Sequence, residues 1–430
     1  MAAPEPADIL LATVQGGGTI PPQMGLARRL VERGHRVHVL SEPTVEAEAR
    51  AAGCSFRTWP SAPFTDAVSR DRPMGRDWEL HTPGQALRLV RDFGEMIFGA
   101  AGRFSRDVLA TLDDLPVRLV LVEAPVFGAL AGAERSGVPT VGLMSNTYMR
   151  PTRGRPVMGS GWMPGSGALR AVRDRVAPAL FEALVDRGLP RLNAVRADLG
   201  LDPLPHVFAA FDRCARLLLL TSPTFDSSPS PLPANVRYVG PVLDDPAWAE
   251  EVALPDGAAP LVLVAMSSTY QAHQALLQRV VDALTELPVR GLVTLGPGLR
   301  PGEVEGAANV AVVPSAAHGP LLRDAAAVVT HAGHGTVLKA LAAGVPMVCI
   351  PHGRDQGDNT ARVLALGAGV RVSRRADAAT IGAAVEQVLV EPRFRAGAHR
   401  VSAALSAEAH RGPSAVDEIE AVLPSSQPTG

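Results

Sequence analysis

The residues with the clearest chemistry lie between 331 and 336, where a predicted strand runs directly into a predicted helix. The sequence there is His-Ala-Gly-His-Gly-Thr. The first N–H groups of a helix lack hydrogen-bond partners and carry about half a positive charge, so they bind phosphate well. Gly333 and Gly335 would let backbone amides approach a phosphate closely, and His331 and Thr336 would add side-chain donors. The stretch therefore predicts a phosphate-binding turn.

A carboxylate and a carboxamide stand side by side in the next turn. After Gly344 ends the helix, a buried strand is predicted over 346–350, and Asp355 and Gln356 follow it. These two side chains can accept and donate hydrogen bonds to the adjacent hydroxyls of a pyranose ring. The two turns together predict a site for a sugar that is attached to a phosphate.

The sequence lacks the motifs of several other nucleotide- and metal-dependent enzymes. The triple glycine 16–18 does not continue as GxGxxG, because Pro21 occupies the position of the third glycine. The one lysine, Lys339, is preceded by Leu338 rather than by the glycine of a Walker A loop. Neither HExxH nor GxSxG occurs. These absences argue against dinucleotide, P-loop, zinc-protease and serine-hydrolase chemistry.

Composition bounds the class of protein. The chain has 430 residues, 47% hydrophobic and 20% charged, which is typical of a globular protein with two or three domains. Its 41 basic and 43 acidic residues show no basic run, which argues against nucleic acid as the partner. The cysteines Cys54, Cys214 and Cys349 are far apart, so we expect neither a zinc site nor disulfides. With no signal peptide or membrane-length apolar run evident, we expect a cytoplasmic protein.

Apolar runs and helical spacings alternate along the chain and divide it into two α/β halves. In the first half the predicted strands are 8–14, 36–40, 118–122 and 138–143. In the second half they are 261–266, 290–295, 309–313, 327–330 and 346–350, with helices near 271–286, 335–343 and 357–366. Strands joined by helices pair in parallel, so we predict two doubly wound sheets whose carboxyl ends line a ligand-binding cleft.

The motifs of the second half resemble a known signature. They are His331-x-Gly333-x-Gly335-Thr336, Gly344-x-Pro346 and Pro351-x-x-x-Asp355-Gln356-x-x-Asn359. This set is similar to the donor-binding signature of family 1 glycosyltransferases, the GT-B enzymes that include plant secondary-metabolite and bacterial antibiotic glycosyltransferases. The resemblance extends over nearly the whole chain. It implies an α/β fold of two Rossmann-like domains facing across a cleft, inverting sugar transfer from a nucleotide diphosphate sugar, and neither a metal nor a cofactor beyond that co-substrate.

The same resemblance gives the expected domain organisation. Pro- and Ser-rich sequence over 222–258 is typical of a connection between domains. The expected units are an acceptor-binding domain 1–222, a linker 223–255, a donor-binding domain 256–400, a helical segment 401–423 that returns to the first domain, and a disordered tail 424–430.

Matched position by position, the resemblance assigns the phosphate site. His331 matches the phosphate-binding histidine, Gly335 and Thr336 match the positions that hold the second phosphate, and Gly333 and His334 complete the turn. Because no lysine is available there, we expect His331, His334 and the helix dipole to neutralise the diphosphate. The other donor-binding residues implied are Ser267 and Ser268 near the phosphates, Val313 and Ser315 beside the base, and Asp355 and Gln356 at the sugar hydroxyls.

The first loop departs from the family pattern. Many members have a histidine there that deprotonates the acceptor with help from an aspartate, whereas Thr19 and Glu123 occupy those positions here. A threonine cannot act as a base near neutral pH, and a glutamate can. Three interpretations stay open. In the first, Glu123 is the base and Thr19 orients the acceptor. In the second, the acceptor hydroxyl is acidic enough to need little help from a base. In the third, another residue of the irregular part of the first half, such as His81, is the base.

Aromatic residues and methionines are concentrated in the irregular parts of the first half. Those expected to line an apolar acceptor pocket, together with His81, are Trp78, Phe93, Met149 and Trp162. The Ala- and Gly-rich composition with a single lysine is typical of a GC-rich bacterium. We therefore predict transfer of a deoxysugar, on dTDP in preference to UDP, to a hydroxyl of a hydrophobic natural-product aglycone in antibiotic biosynthesis or tailoring.

Two other functions are compatible with the same donor site. A GT-B sugar-nucleotide 2-epimerase would need acidic residues around the sugar and no acceptor pocket. A non-catalytic sugar-nucleotide-binding protein would have lost its base, for which Thr19 is the one indication. A homodimer also stays open, whereas no nucleic-acid or membrane partner is expected.

Overall fold

A computed structural model describes residues 5–63, 91–163, 167–226 and 231–424. Within these ranges the chain forms two parallel β-sheets, of seven and six strands, with helices packed on them. The predicted α/β class with two doubly wound parallel sheets is confirmed.

The first sheet has the strand order β3-β2-β1-β4-β5-β6-β7. Its strands are β1 Asp8–Ala12, β2 Arg36–Ser41, β3 Ser55–Thr58, β4 Val117–Glu123, β5 Thr140–Met144, β6 Arg216–Leu219 and β7 Val236–Tyr238. β1 and β5 are buried along their whole length, as expected for parallel strands that helices cover on both faces. The order reverses between β1 and β4, so a crevice opens at their carboxyl ends.

The helices of the first domain connect these strands. In chain order they are α1 Ile20–Glu32, α2 Glu46–Ala51, α3 Ala101–Asp114, α4 Phe127–Ser136, α5 Ala168–Val185, α6 Leu189–Asp198 and α7 Pro223–Asp226. α1 follows the glycine-rich turn and has prolines in its first turn, where a missing N–H removes no hydrogen bond. The glycine-rich turn thus leads directly into α1.

The second sheet has the order β10-β9-β8-β11-β12-β13. Its strands are β8 Leu261–Ala265, β9 Arg290–Thr294, β10 Val310–Val313, β11 Ala325–Thr330, β12 Met347–Cys349 and β13 Gly369–Arg371. The helices are α8 Gln274–Thr285, α9 His318–Asp324, α10 His334–Ala342, α11 Gln356–Ala365, α12 Ala378–Val390, α13 Pro392–Ala409 and α14 Ala415–Glu420. This sheet reverses between β8 and β11, which carry the two turns predicted to lie near the phosphates.

The chain returns to the first domain at its end. α14 begins with a capping box between Ser414 and Asp417 and packs against α1 and β6. Arg33, which directly follows α1, donates to Asp417 at 3.1 Å and to Glu420 at 3.0 Å. The last helix therefore ties the C-terminal segment to the first sheet.

Two expected boundaries need correction. β7 pairs in parallel with β6 and completes the first sheet. The first domain therefore does not end at 222 but includes part of the segment expected to be a linker. The reason is that a short stretch between Pro-rich sequences forms this last strand. α13 runs continuously through the boundary expected between 400 and 401. Residues 425–430 of the expected tail lie outside the described residues.

Gly128 lies where α4 crosses α3, and it gives a first prediction, on stability. A Cβ at Gly128 would overlap the backbone of Ala101. We expect G128A to lower the free energy of unfolding by about 1–3 kcal/mol, because backbone cannot step aside as a side chain can. At Gly102, on α3, a Cβ would meet only Val195 Cγ2 at 3.5 Å, so G102A is the matched control and should be neutral or slightly stabilising. Urea unfolding followed by circular dichroism measures both; equal stability of the two variants would contradict this packing.

Candidate active site

A cleft of about 1230 Å³ lies between the carboxyl ends of the two sheets, where the strand order of each reverses. Turns after β1, β2 and β4 line one side, and turns after β8, β11 and β12 line the other. The sides meet at Gly17, whose φ of 70° suits glycine and which packs so closely on Thr269 that a Cβ would overlap its methyl group. Ligands of α/β proteins usually bind at such reversals.

The turn between β11 and α10 presents backbone N–H groups to this cleft. Gly333 has an extended backbone, and α10 begins at His334. The first N–H groups of a helix have no partner within it, and Gly335 and Thr336 both line the cleft. Ala332 has a φ of 68°, a left-handed conformation that non-glycine residues rarely adopt and that is often found at ligand sites. The arrangement fits the predicted phosphate-binding turn.

His331 and His334 line the cleft but carry no charge at neutral pH. Burial lowers the pKa of His331 well below 6.5, and the neighbouring His352 and His273 lower it further. Burial also lowers the pKa of His334. That these two histidines neutralise a diphosphate stays a prediction, and in the ligand-free protein burial opposes their protonation. Without a ligand they are uncharged hydrogen-bonding groups, and no protein group in the described ranges bonds to His331 Nδ1.

Arg354 supplies positive charge at this end of the cleft. It lines the cleft, has a left-handed φ of 53°, and its Nη1 donates to Thr269 Oγ1 at 2.9 Å. Lys339 also lines the cleft, but it forms an ion pair with Asp245. The sequence pattern does not single out Arg354, although its place directly before the predicted sugar-binding pair is the signal that could have found it.

Ser267 and Ser268 line the cleft in the turn after β8. The Ser267 hydroxyl bonds to Thr269 Oγ1 at 2.9 Å and accepts from the Thr269 N–H at 3.1 Å. The turn is thus held by its own side chains, and Arg354 joins it through the same Thr269 hydroxyl. A donor-binding role for the two serines is consistent with this placement.

Gln356 borders the cleft, but its amide is engaged within the protein. Its Oε1 accepts from the N–H groups of His352 at 2.7 Å and Gly353 at 3.1 Å, and its Nε2 donates to Gln271 Oε1 at 3.1 Å. These bonds hold the loop after β12 in place. The contacts therefore speak against Gln356 as a ligand of sugar hydroxyls and favour a structural role.

Asp355 is joined to the phosphate turn through Asn359. The Asn359 Nδ2 donates to Asp355 Oδ2 at 2.8 Å and to the Ala332 carbonyl at 3.0 Å. Asp355 is partly exposed and lines the cleft. A carboxylate at the predicted sugar position is thereby fixed relative to the predicted phosphate position.

Only one of the two residues predicted beside the base reaches the cleft. Ser315 lines it, and its Oγ donates to the Trp248 carbonyl at 3.2 Å. Val313 does not line it, because as the last residue of β10 its side chain packs on the hydrophobic core. The Trp248 side chain borders the cleft and is 36% exposed. It is an aromatic surface that no motif in the sequence indicates.

Glu123 and Thr19 face the cleft from the first domain. Glu123 ends β4, and its Oε2 accepts from Thr13 Oγ1 at 2.8 Å and from the Val14 N–H at 3.1 Å. Burial raises the pKa of Glu123, and these hydrogen bonds oppose the rise. Thr19 directly precedes α1. A buried carboxyl with a raised pKa is suited to take up a proton near neutral pH.

An apolar wall lines the first-domain end of the cleft. Phe93 and Met149 belong to it, as predicted, and the other large apolar members include Phe127, Phe181, Leu184 and Phe208. Phe181 and Phe208 stack with their ring centroids 6.5 Å apart. Such a wall suits a hydrophobic ligand.

Three predicted acceptor residues do not belong to the described wall. Trp162 does not line the main cleft, because it borders a small separate pocket, where the Arg173 guanidinium lies 4.7 Å above its ring. The loop before it is held by Asp358, which accepts from the N–H groups of Gly159 and Gly161 at 2.5 Å each. Trp78 and His81 lie outside the described residues, so a role for His81 as a base stays a prediction.

Two further histidines lie near His331, in turns that no sequence motif links to it. His273 precedes α8 and His352 follows β12, with their ring centroids 6.2 Å apart. Burial lowers the pKa of His273 to about 3 and that of His352 to about 4. Both rings are therefore neutral in the folded protein at neutral pH, and each acquires a proton far more readily once unfolded.

This pair gives a prediction for the pH dependence of stability. Between the ordinary pKa of 6.5 and the lowered values, the unfolded chain binds protons that the folded chain does not, so the free energy of unfolding falls as pH drops. From pH 7 to pH 5 we expect a loss of about 2 kcal/mol for each of His273 and His352. The H273Q and H352Q variants should each remove about that much of the loss in denaturant unfolding, whereas H410Q, at an exposed histidine, should remove none. A wild-type dependence in all three variants would contradict the burial.

The described residues contain neither a candidate metal centre nor a candidate membrane-spanning helix. Within them, no group of three His, Cys, Asp or Glu side chains could hold a metal ion. Their three cysteines are free and buried. None of the described helices is both long and apolar enough to cross a bilayer.

Comparison with known proteins agrees with this architecture. Residues 278–420 match the model of the erythromycin biosynthesis protein CIII-like C-terminal domain. The 4'-demethylrebeccamycin synthase of Lentzea aerocolonigenes is 30% identical over 408 residues, which cover 92% of this chain and 94% of that protein. The oleandomycin glycosyltransferase of Streptomyces antibioticus is 26% identical over 434 residues, 97% of this chain and 91% of that protein.

A solved structure shares the whole fold. The crystal structure of the glycosyltransferase of kitacinnamycin superposes with a TM-score of 0.75 at 22% sequence identity. The match covers 98% of this chain and 100% of that chain. The two-domain arrangement with a cleft between parallel sheets is therefore the GT-B fold that the sequence predicts.

Proposed function

Because this chain belongs to the GT-B glycosyltransferases of antibiotic biosynthesis, we propose that it transfers a sugar from a dTDP-linked donor to a hydroxyl of a hydrophobic natural-product aglycone. The proposed transfer inverts the anomeric carbon and uses the nucleotide sugar as its co-substrate, with no metal and no other cofactor. The observation that carries the proposal is one cleft with the N-terminus of α10 on one side and a buried carboxyl beside an apolar wall on the other.

The second-domain side supports the leaving-group half of the reaction. Negative charge grows on the diphosphate as its bond to the sugar breaks. The N–H groups of Gly335 and Thr336 and the His331 ring are donors fixed by the fold, and Arg354 adds a full positive charge. Donors that are already aimed where charge develops contribute strongly to catalysis.

The first-domain side supports the attacking half. In the proposed step the acceptor oxygen attacks C1 of the sugar from the face opposite the diphosphate, and Glu123 takes the hydroxyl proton. The sugar carbon passes through oxocarbenium character, as in glycoside hydrolysis. Because the carboxyl and the phosphate turn lie on opposite sides of the cleft, a single displacement with inversion is favoured.

The two finer choices rest on different grounds. The apolar wall around Phe93, Phe181 and Phe208 favours a hydrophobic acceptor over a sugar or a peptide. The choice of dTDP rests on the antibiotic-biosynthesis family rather than on a contact with the base.

Incubation of the purified protein with dTDP- and UDP-sugars and a panel of polycyclic and macrolide aglycones, followed by mass spectrometry, tests the proposal. A hexose or deoxyhexose mass increment on an aglycone from a dTDP-sugar, with NMR showing the opposite anomer from the donor, is the expected result. Isomerised sugar nucleotide without a glycosylated product, or binding without turnover for every donor, would contradict it.

A further inference from the structure

The loop 150–163, which lies between β5 and α5, contacts both domains. Its first part is held by carboxylates of the first domain. Arg150 Nη1 donates to Asp212 Oδ1 at 2.6 Å, and the Arg155 guanidinium lies 3.6 Å from the carboxylate of Asp226. Asp226 is fully buried at the end of α7. This part of the loop is therefore attached to the first domain.

The second part of the loop is attached to the second domain through Asp358 of α11. The Gly159 N–H donates to Asp358 Oδ2 and the Gly161 N–H donates to Asp358 Oδ1, at 2.5 Å each. Asp358 is 4% exposed. The backbones also approach closely, because a Cβ on Gly357 would lie 3.4 Å from the Gly161 Cα. Each oxygen of one buried carboxylate thus holds one amide of the loop.

The two attachments belong to one network. Arg362 of α11 donates from Nη1 to the Asp358 carbonyl at 3.1 Å and from Nη2 to Asp226 Oδ1 at 3.4 Å. One guanidinium therefore links the helix that holds the second part of the loop to the carboxylate that holds the first part. A loop fixed at both parts has little freedom left to lose when a ligand packs against it.

The attachment to α11 places the loop next to the predicted sugar position. Asp355 directly precedes α11 and lies three residues before Asp358, and residues at this spacing lie on the same side of a helix. Asp355 lines the main cleft, and so do Met158 and Gly159 of the loop. Gly159 therefore borders the cleft while its N–H is bonded to the helix that carries the predicted sugar contact.

We propose that Asp358 is a positioning residue for the acceptor, which fixes the loop on α11 and so places Met158 against the aglycone as a specificity-determining contact. This inference rests on the proposed function. Asp358 then contributes to the affinity for the aglycone, because the aglycone meets a loop that is already ordered. It contributes neither to diphosphate binding, which involves α10, nor to proton transfer, which involves Glu123.

Kinetics of Asp358 variants test the proposal, with the aglycone that the panel assay identifies. D358A should raise the KM for this aglycone by about tenfold and leave kcat within about threefold of wild type, because aglycone binding must then order the loop. D358N keeps one of the two accepting oxygens and should give an intermediate KM. The affinity for dTDP should stay within about twofold of wild type in both variants. D282A, at an exposed aspartate of α8, is the matched control and should change none of these constants.

Two results would overturn the proposal. One is an unchanged KM for the aglycone in D358A. The other is a loss of dTDP affinity as large as the loss of aglycone affinity, which a merely structural defect of α11 would cause. Should D358A fail to fold, the same comparison is made with D358N, whose side chain has the same size as that of aspartate.

A double-variant cycle tests the link between Asp358 and Met158. M158A alone should raise the KM for the aglycone about threefold or more, because an apolar contact is lost. In the D358A background the same substitution should change this KM by less than about twofold, because the loop no longer presents Met158 to the aglycone. Effects that multiply independently would show that Asp358 does not position Met158.

Hydrogen–deuterium exchange separates this inference from the proposed function, because it needs no turnover. The amides of Gly159 and Gly161 should exchange at least about tenfold faster in D358A than in wild type, whereas D282A should match wild type. Equal exchange in wild type and D358A would show that Asp358 does not hold the loop, even if the protein transfers sugars. If exchange increases in D358A but wild type glycosylates no aglycone, the proposed function fails and the attachment of the loop stands.

Discussion

Replacing His331 with alanine lowers kcat by about 100- to 1,000-fold, because one fixed donor is lost where the leaving diphosphate develops charge. The ring is buried beside the turn that begins α10, and its pKa lies well below 6.5. The loss should therefore be the same between about pH 6 and pH 8, since the ring acts as a neutral donor throughout. Steady-state kinetics across this range, with isothermal titration of dTDP for binding, measure the effect.

Two matched variants sharpen this result. H331N keeps a neutral amide donor and should recover part of the lost rate. H410A alters an exposed histidine at the end of α13 and should leave kinetics unchanged. Near-normal turnover of H331A, or a loss that appears only at low pH as if a positive charge had been removed, would contradict the assignment.

Replacing Glu123 with glutamine lowers kcat/KM by about 100- to 10,000-fold, the usual contribution of a general base. The Glu123 carboxyl is buried with a raised pKa, so its basic form is lost as pH falls through that value. Wild-type kcat/KM should consequently decrease on the acidic side, and E123Q should lack this limb. Affinity for dTDP should be unchanged, because Glu123 belongs to the first domain and the phosphate turn to the second.

The control for E123Q is E46Q on the same domain, because the Glu46 side chain is 43% exposed and pairs with Arg50. An E123Q rate equal to wild type at every pH would remove Glu123 from the role of base and leave an acidic acceptor hydroxyl or His81. A weaker affinity for dTDP with an unchanged rate would instead indicate a donor-binding residue.

The sequence predicts those parts of the site that one strand–turn–helix unit carries. The buried run over 327–330, the glycines after it and the amphipathic stretch beyond them specify β11, the phosphate turn and α10 to within a few residues. Here the buried apolar run indicates the strand and the amphipathic spacing indicates the helix. The glycines between them are needed where backbone must approach a ligand. The same reasoning predicts doubly wound parallel sheets with a ligand-binding cleft at the carboxyl ends of their strands.

Side chains that meet only in the folded protein are not predictable in this way. Arg354 and His273 come from separate turns, and no local pattern links them to the residues they face. Burial then changes their chemistry, as for His331, whose type suggests a cation but whose surroundings keep it neutral. Val313 and Trp162 were predicted to line the ligand site, but neither lines the main cleft. Their position in the sequence does not reveal which face of a strand or loop their side chains occupy.

The helices that form the apolar wall of the cleft are also difficult to predict from local sequence patterns. Over α5 the hydrophobic residues are interrupted by Pro178 and several arginines, so the sequence has no clear helical period. Phe181 of this helix nevertheless reaches Phe208 from a different segment, and together they line the cleft. The acceptor side of the site therefore emerges from tertiary packing and not from motifs.

A crystal structure of the protein grown with dTDP tests most directly whether the 331–336 turn grips the diphosphate. We predict phosphate oxygens within about 3 Å of the Gly335 and Thr336 amides and of the His331 ring, with Arg354 beside them. A nucleotide bound elsewhere, with these groups directed into packed protein, would contradict the assignment of this turn and the mechanism built on it.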